Sequence, residues 1–203
     1  MNKLFKVGLT GGIASGKSTV SMMFRNKGMQ ILDADLVARE VLQLYPSLME
    51  SISKEFGQHF FDESGSLKRK KLGEYIFKYP KERIKLDSIM IPVIKEEIFK
   101  RLNLMESKGI GLCILDAPTL IEHGIHKQMD MNIVVFVNKS IQIERLRKRD
   151  GINNEQAVNR LNAQMSLEEK KDFADFIIDN SNSFESTRQQ IDEIVEVLSI
   201  YAT

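Results

Sequence analysis

Five short apolar runs punctuate the chain, at 5–10, 29–32, 112–115, 133–137 and 176–178. Runs this short and this continuously apolar read as buried strands, and the stretches between them carry apolar residues at helical spacing. Alternation of that kind predicts an α/β fold, a parallel sheet of about five strands with helices on both faces. The first helix is expected over 17–27, stopping at Gly28, a residue suited to the left-handed position after a helix end. Four more helical stretches follow at 35–44, 46–56, 68–77 and 80–106, with no convincing strand among them. Pro46 fits the first position of its helix, whereas Pro92 falls inside a helical pattern and is expected to kink or divide it.

The organisation that emerges is one domain with two interruptions. Its core covers 1–34, 110–138 and 175–203; a helical insertion, 35–109, is expected to take a second substrate. The interval 139–174 is polar, with Lys139, Arg145, Arg147, Lys148, Arg149 and Arg160 and little apolar surface. Such a segment suits a mobile lid that opens and shuts at small cost. Arg145 and Arg149 lie four apart and share a helix face, either facing phosphates or simply solvated.

Between the first strand and the first helix stand Gly11, Gly12, Ile13, Ala14, Ser15, Gly16, Lys17 and Ser18, followed by Thr19. The first eight fit G-x-x-x-x-G-K-[ST], and the strand–loop–helix setting is the context that the pattern requires. Glycines let successive N–H groups turn onto a phosphate, and the helix adds its unpaired amides and positive end. Lys17 is placed to reach the β- and γ-phosphates of ATP, and the Ser18 hydroxyl to hold Mg²⁺. The expected architecture is therefore a P-loop NTPase-like sheet.

Acids at strand ends supply the remaining chemistry, because ligands of open α/β sheets gather at the carboxyl edge. Asp33 follows the second apolar run and is the candidate acceptor for a hydroxyl proton in phosphoryl transfer. Asp35 is either the N-cap of the next helix or, if the chain stays extended, a substrate contact on the same face as Asp33. Asp116 closes the run Leu112-Cys113-Ile114-Leu115, the arrangement in which a P-loop protein orients the magnesium shell. Pro118 and Glu122 just beyond should shape the crevice.

Composition narrows the reading. Lys+Arg 29 against Asp+Glu 28 leaves no basic excess, so nothing points to nucleic acid. The single cysteine, Cys113, cannot form an intramolecular disulfide and sits in an apolar run, where a small buried side chain is expected. No apolar stretch reaches the ~20 residues that span a bilayer, and a cytoplasmic location follows as the default. Asn138-Lys139-Ser140-Ile141 lacks the aspartate of the guanine-specifying N-K-x-D. His59, His123 and His126 form no metal-ligand pattern.

Taken together, the chain resembles the dephospho-CoA kinase family. The resemblance rests on Gly8 to Thr19, Asp33-Ala34-Asp35, Asp116-Ala117-Pro118-Thr119-Leu120-Ile121-Glu122, Arg145 to Asp150, Arg160 with Gln164, and Asp175 to Asn180, in the family's order over nearly the full length. It implies transfer of the γ-phosphoryl group of ATP to the 3′-hydroxyl of dephospho-CoA. It also implies ATP contacts through Arg145, Arg149 and Asn180, and acceptor contacts through Asp33, Asp35, Arg69 and the position of Ile91. Two positions depart from the pattern: Ile91-Pro92 stands where the family usually has His-Pro, and Ala14 replaces a frequent glycine. Other small-molecule or nucleoside monophosphate kinases share the opening motif, and a nucleotide-dependent switch is the alternative from another class. Oligomeric state is left between a monomer and a weak homo-oligomer.

Overall fold

A computed structural model describes residues 3–201. Five strands, β1 (Phe5–Gly11), β2 (Ile31–Asp33), β3 (Leu112–Asp116), β4 (Met131–Phe136) and β5 (Phe176–Asp179), form one sheet in the order β2-β3-β1-β4-β5. Every pairing is parallel. The apolar runs thus become strands, with shifted ends: β2 starts at Ile31 instead of 29, and β4 starts at Met131 instead of 133. Polar residues such as Asn132 enter a strand because pairing with Gly8 satisfies their backbone, whatever their side chains prefer.

Side-chain alternation decides which face each strand residue covers. Ile133 and Val135 join Val7, Leu9, Ile114 and Ile178 in a core closed by Val20 and Phe24 of helix α1 (Lys17–Asn26) and by Ile191, Ile194 and Leu198 of α9 (Phe184–Ser199). Val134, one residue out of phase, packs with Ile121, Val137 and Leu167 in a second cluster. Each fully buried aliphatic side chain here is worth about 1.5–3 kcal/mol of transfer free energy. Cys113 is completely buried in β3, and burial pushes its thiol up to about 11. Helix α1 ends as expected: Gly28 has φ 84°, with Met29 N–H bonded to the Phe24 carbonyl and Gly28 N–H to that of Arg25.

The chain divides into two compact units. The first comprises the described residues up to Asp33 and from Leu102 onward; the second is Ala34–Arg101. The first unit also contains α6 (Lys139–Asp150), α7 (Asn154–Asn162) and α8 (Leu167–Lys171).

The second unit is built from α2 (Ala34–Leu44), α3 (Pro46–Phe56), a 3₁₀ turn at Gln58–Phe60, α4 (Arg69–Lys78) and most of α5 (Pro80–Ser107). Pro46 takes the first turn of α3 as expected. Pro92 does not divide α5, which runs unbroken through it. The ring is exposed, while Ile94, Ile98 and Leu102 repeat every four residues as a buried stripe whose packing outweighs one lost backbone hydrogen bond. A charged knot sits among these helices. Glu97, 5% exposed, accepts from the Tyr45 hydroxyl at 2.7 Å and from Arg101 Nε at 2.7 Å, and Arg101 also pairs with Glu40. The Arg101 bond holds the Glu97 carboxyl below its ordinary range against the opposing effect of burial.

Candidate active site

Parallel pairing brings the carboxyl ends of β1, β2 and β3 to one edge of the sheet. Asp33 and Asp116 are register partners across β2 and β3, and Leu9 of β1 is level with Asp116 on its other side. Two carboxylates and the start of the glycine-rich loop therefore share this edge.

From Gly11 the backbone leaves the strand and winds into α1, with the Ser15 N–H bonded to the Gly12 carbonyl and the Thr19 and Val20 N–H groups to that of Gly16. Ala14 at φ 59° and Gly16 at φ 88° both lie in the left-handed region. Left-handed residues spaced this way turn N–H groups inward, the geometry of an anion nest, and α1 adds its N-terminal amides. A Cβ on Gly16 would come within 2.0 Å of Asn180 Nδ2, so glycine is required there for space as well as for φ.

Lys17 reaches Asp116, forming an ion pair in which both side chains are largely buried. Ser18 is exposed at the start of α1. The Ser15 hydroxyl is buried with no hydrogen-bond partner among the described residues.

The polar interval contacts the loop directly. Gln142 of α6 donates to the Ile13 carbonyl at 2.8 Å, and the Ile13 N–H donates to Gln164 Oε1 at 3.1 Å, so both backbone groups of this loop residue are held. Arg145, one turn along α6, donates to the Asn180 carbonyl at 2.9 Å, and its guanidinium comes within 3.8 Å of the space above Gly16. The Asn180 amide donates to the Ser15 carbonyl at 2.8 Å and accepts from Thr187 at 2.9 Å. Beside Gly12 a cavity of about 330 Å³ is lined by Lys139, Gln142, Gln164 and Met165 among others, at the small end of ligand sites.

The structure gathers some of the sequence-predicted residues here and not others. Gly11 to Thr19, Asp33, Asp116, Arg145 and Asn180 converge on the sheet edge. Arg149 lies on the exposed part of α6 and pairs with its neighbour Asp150, as does Arg160. Asp35, Arg69 and Ile91 belong to the second unit. Asp35 is not the N-cap of α2, because the helix starts at Ala34; nor does the chain stay extended past Asp33, so the shared face expected of the two acids is lost. Alanine's helix propensity and burial favour an immediate turn, and an acid in the first turn complements the helix dipole. Arg69 is exposed and donates to the Arg39 carbonyl at 3.0 Å; Ile91 is half-buried on α5.

Two participants escaped the sequence reading. Gln142 carries no recognisable motif. Lys170 lies in the charged run Glu168-Glu169-Lys170-Lys171, where solvent exposure is the ordinary expectation, yet it is completely buried. Its ammonium donates to the Pro118 carbonyl at 2.7 Å and pairs with Glu122 at 3.0 Å. Burial pulls its proton affinity down, Glu122 pushes it back up, and the Lys17 charge lowers it a little further.

A magnesium ion is implied by this type of loop, and the residues fit one. Among the described residues no cluster of three or more acids, histidines or cysteines could cage a metal ion. The Ser18 hydroxyl and the Asp116 carboxylate are nonetheless the sparse hard-oxygen set suited to an ion that arrives with nucleotide phosphates and keeps its own water.

A parallel five-stranded sheet carrying this loop, with acids on the neighbouring strand ends and an arginine over the loop, defines a P-loop kinase. The comparisons sharpen that class. The dephospho-CoA kinase family model matches residues 5–186. A dephospho-CoA kinase of Clostridium perfringens is 48% identical over 198 residues, 98% of this chain and all of that one. Among solved structures, a protein from Thermus thermophilus (TT1252) superposes with a TM-score of 0.77 at 26% identity, covering 97% of this chain and 99% of that one. Dephospho-CoA kinase from Campylobacter jejuni gives 0.72 at 27% identity, covering 98% of both. The chain belongs to the dephospho-CoA kinase family.

Proposed function

We propose that this enzyme transfers the γ-phosphoryl group of ATP to the 3′-hydroxyl of dephospho-CoA, giving CoA and ADP. The observation that carries the reading is the alignment of Asp33 with Asp116 at the edge where the phosphate loop and Lys17 stand.

Asp33 orients the acceptor hydroxyl and takes its proton as the oxygen bonds to the γ-phosphorus and the bond to the β-phosphate oxygen breaks. Lys17 leaves Asp116 for the β- and γ-phosphates. The loop amides from Gly12 to Thr19 spread the developing charge, and Arg145 turns from the Asn180 carbonyl toward the phosphates. When bound, Mg²⁺ held through Ser18, with Asp116 orienting its shell, supplies charge neutralisation on the β- and γ-oxygens. Most of the rate enhancement then comes from position and electrostatics, because a metaphosphate-like group asks little covalent help. Arg149 and Asn180 complete the ATP side, and Asp35, Arg69 and Ile91 the acceptor side.

In this reading 139–174 is the lid, 35–109 the acceptor-binding insertion, and 1–34, 110–138 and 175–203 the core. The enzyme is cytoplasmic, monomeric or weakly self-associating, and has no nucleic-acid or membrane partner. The near-neutral charge offers no basic excess for nucleic acid, and no helix among the described residues is long and apolar enough to cross a membrane. The test is coupled ADP release with ATP and magnesium, with and without dephospho-CoA. Release that depends on dephospho-CoA, and is not supported by free nucleosides or nucleoside monophosphates, is expected; release indifferent to the acceptor would refute the assignment.

A further inference from the structure

We infer that Lys170 is a positioning residue for phosphoryl transfer: its ammonium ties the end of β1, the segment after Asp116 and helix α8 into one frame that sets where Lys17 and Asp116 stand. The inference rests on the kinase reading above.

Lys170 is 0% exposed, and its partners come from two other parts of the chain, the end of β1 and the segment after Asp116. The Pro118 carbonyl lies at 2.7 Å, the two Glu122 carboxylate oxygens at 3.0 and 3.1 Å, and the Thr10 hydroxyl at 3.5 Å. Thr10 itself donates to the Pro118 carbonyl at 3.1 Å, so that one oxygen collects both groups. Thr10 immediately precedes Gly11 of the phosphate loop, and Pro118 is two residues beyond Asp116. The Ala117 N–H between them is bonded to the Leu9 carbonyl at 2.9 Å, stitching the same two strand ends together through the backbone. On the other side, α8 is fixed by a capping box in which Ser166 and Glu169 bond each other's backbone, so the lysine stem leaves a rigid turn.

Stability alone does not account for a lysine here. A buried ion pair is often replaced by apolar side chains of similar volume at no loss, and methionine would fill this stem's space. An ammonium does what methionine cannot: it grips a carbonyl, a carboxylate and a hydroxyl at once, each on a segment that leads to a phosphate-site group. The Lys17 charge is in turn felt at Lys170, whose proton affinity it lowers. Lys170 thereby anchors the C-terminal end of the polar interval.

The experiment compares wild type with Lys170→Met and with Lys170→Met/Glu122→Leu, measuring kcat, both KM values and thermal stability. Acceptor-dependent ADP release by the wild type is the control for the kinase reading, and its absence overturns that reading and this inference together. With an active wild type, Lys170→Met should lower kcat by about 10–100-fold, the cost of misplacing reacting groups by a fraction of an ångström to an ångström, with KM for ATP changed less than about threefold. The double variant removes the stranded carboxylate, so its melting temperature should return toward wild type while kcat stays low. Recovery of kcat together with stability would show a merely structural lysine and overturn the inference. Should neither methionine variant fold, Glu122→Gln decides. Without its counter-ion the buried lysine sheds its proton and becomes a weaker donor to Pro118, so kcat should fall by about threefold or more with the fold retained. Wild-type kcat in that variant refutes the positioning role.

Discussion

Gly16→Ala is the substitution whose cost can be worked most completely from the structure. At φ 88° an alanine meets the left-handed penalty, about 1–2 kcal/mol for an L side chain. Its Cβ would lie 2.0 Å from Asn180 Nδ2, so the amide must move and its bond to the Ser15 carbonyl is lost, about another 1 kcal/mol. The alanine recovers about 0.4–1 kcal/mol by narrowing the unfolded ensemble. A net loss of about 2 kcal/mol remains, which for a domain this size lowers the melting temperature by about 4–8 °C. Activity should fall further than stability requires, because the Asn180 carbonyl also carries Arg145. The companion change Ala14→Gly has the opposite sign: it releases strain at φ 59° and should leave stability unchanged or raise it by up to about 1 kcal/mol. Thermal melts and ADP-release kinetics on both proteins form the assay. Gly16→Ala with wild-type melting and turnover would refute the loop geometry on which the proposed chemistry stands.

Asp33→Asn should fold and bind ATP normally but lose about 10²–10⁴-fold in kcat, the usual worth of general-base assistance; near-wild-type turnover removes Asp33 from that role. Arg145→Ala should lower kcat more than it weakens ATP binding, and hydrogen exchange should find 139–174 better protected with an ATP analogue than without, equal protection counting against a lid. Ile91→His should lower the KM for dephospho-CoA with little change in kcat, since isoleucine offers packing but no hydrogen bond; an unchanged KM takes this position out of the acceptor site. Glu97 has a depressed carboxyl affinity in the fold, so its contribution to stability is complete above the ordinary glutamate value and is lost as pH falls through the lower folded one. Melting followed from about pH 6 down to about pH 3 should therefore show a loss that Glu97→Gln removes, and identical pH profiles would contradict the assignment.

What the sequence made legible is local. The strand–loop–helix at Phe5 to Asn26 could be read because each of its requirements lies within a few residues of the next, and the acids at Asp33 and Asp116 because apolar runs end at them. Asp35 was misjudged within the same local window: the pattern suggested a cap or an extended triplet, but a buried Ala34 starts the helix one residue earlier. Of the kink or division expected at Pro92, division does not occur, because the local cost of the proline is fixed while the buried stripe that overrides it repeats along the helix. Gln142 and Lys170 were invisible for another reason. Gln142 meets Ile13 across 129 positions, and Lys170 meets Glu122 across 48, so nothing near either residue announces its partner. In the run from Glu168 to Lys171, only the fold says which charge turns inward.

Dephospho-CoA and CoA both end in a thiol, so the proposed enzyme works surrounded by a reagent that exchanges readily with any accessible cysteine. Its one cysteine is sealed inside β3, wholly buried, with the thiol pushed up to about 11, so at neutral pH almost none of it is thiolate. Since thiolate is the species that attacks a disulfide, neither the disulfide form of the acceptor nor that of the product has a sulfur on this protein with which to form a mixed disulfide. The catalyst is in this sense chemically deaf to the redox state of what it handles. It should need no reductant to stay active while its own substrate oxidises around it.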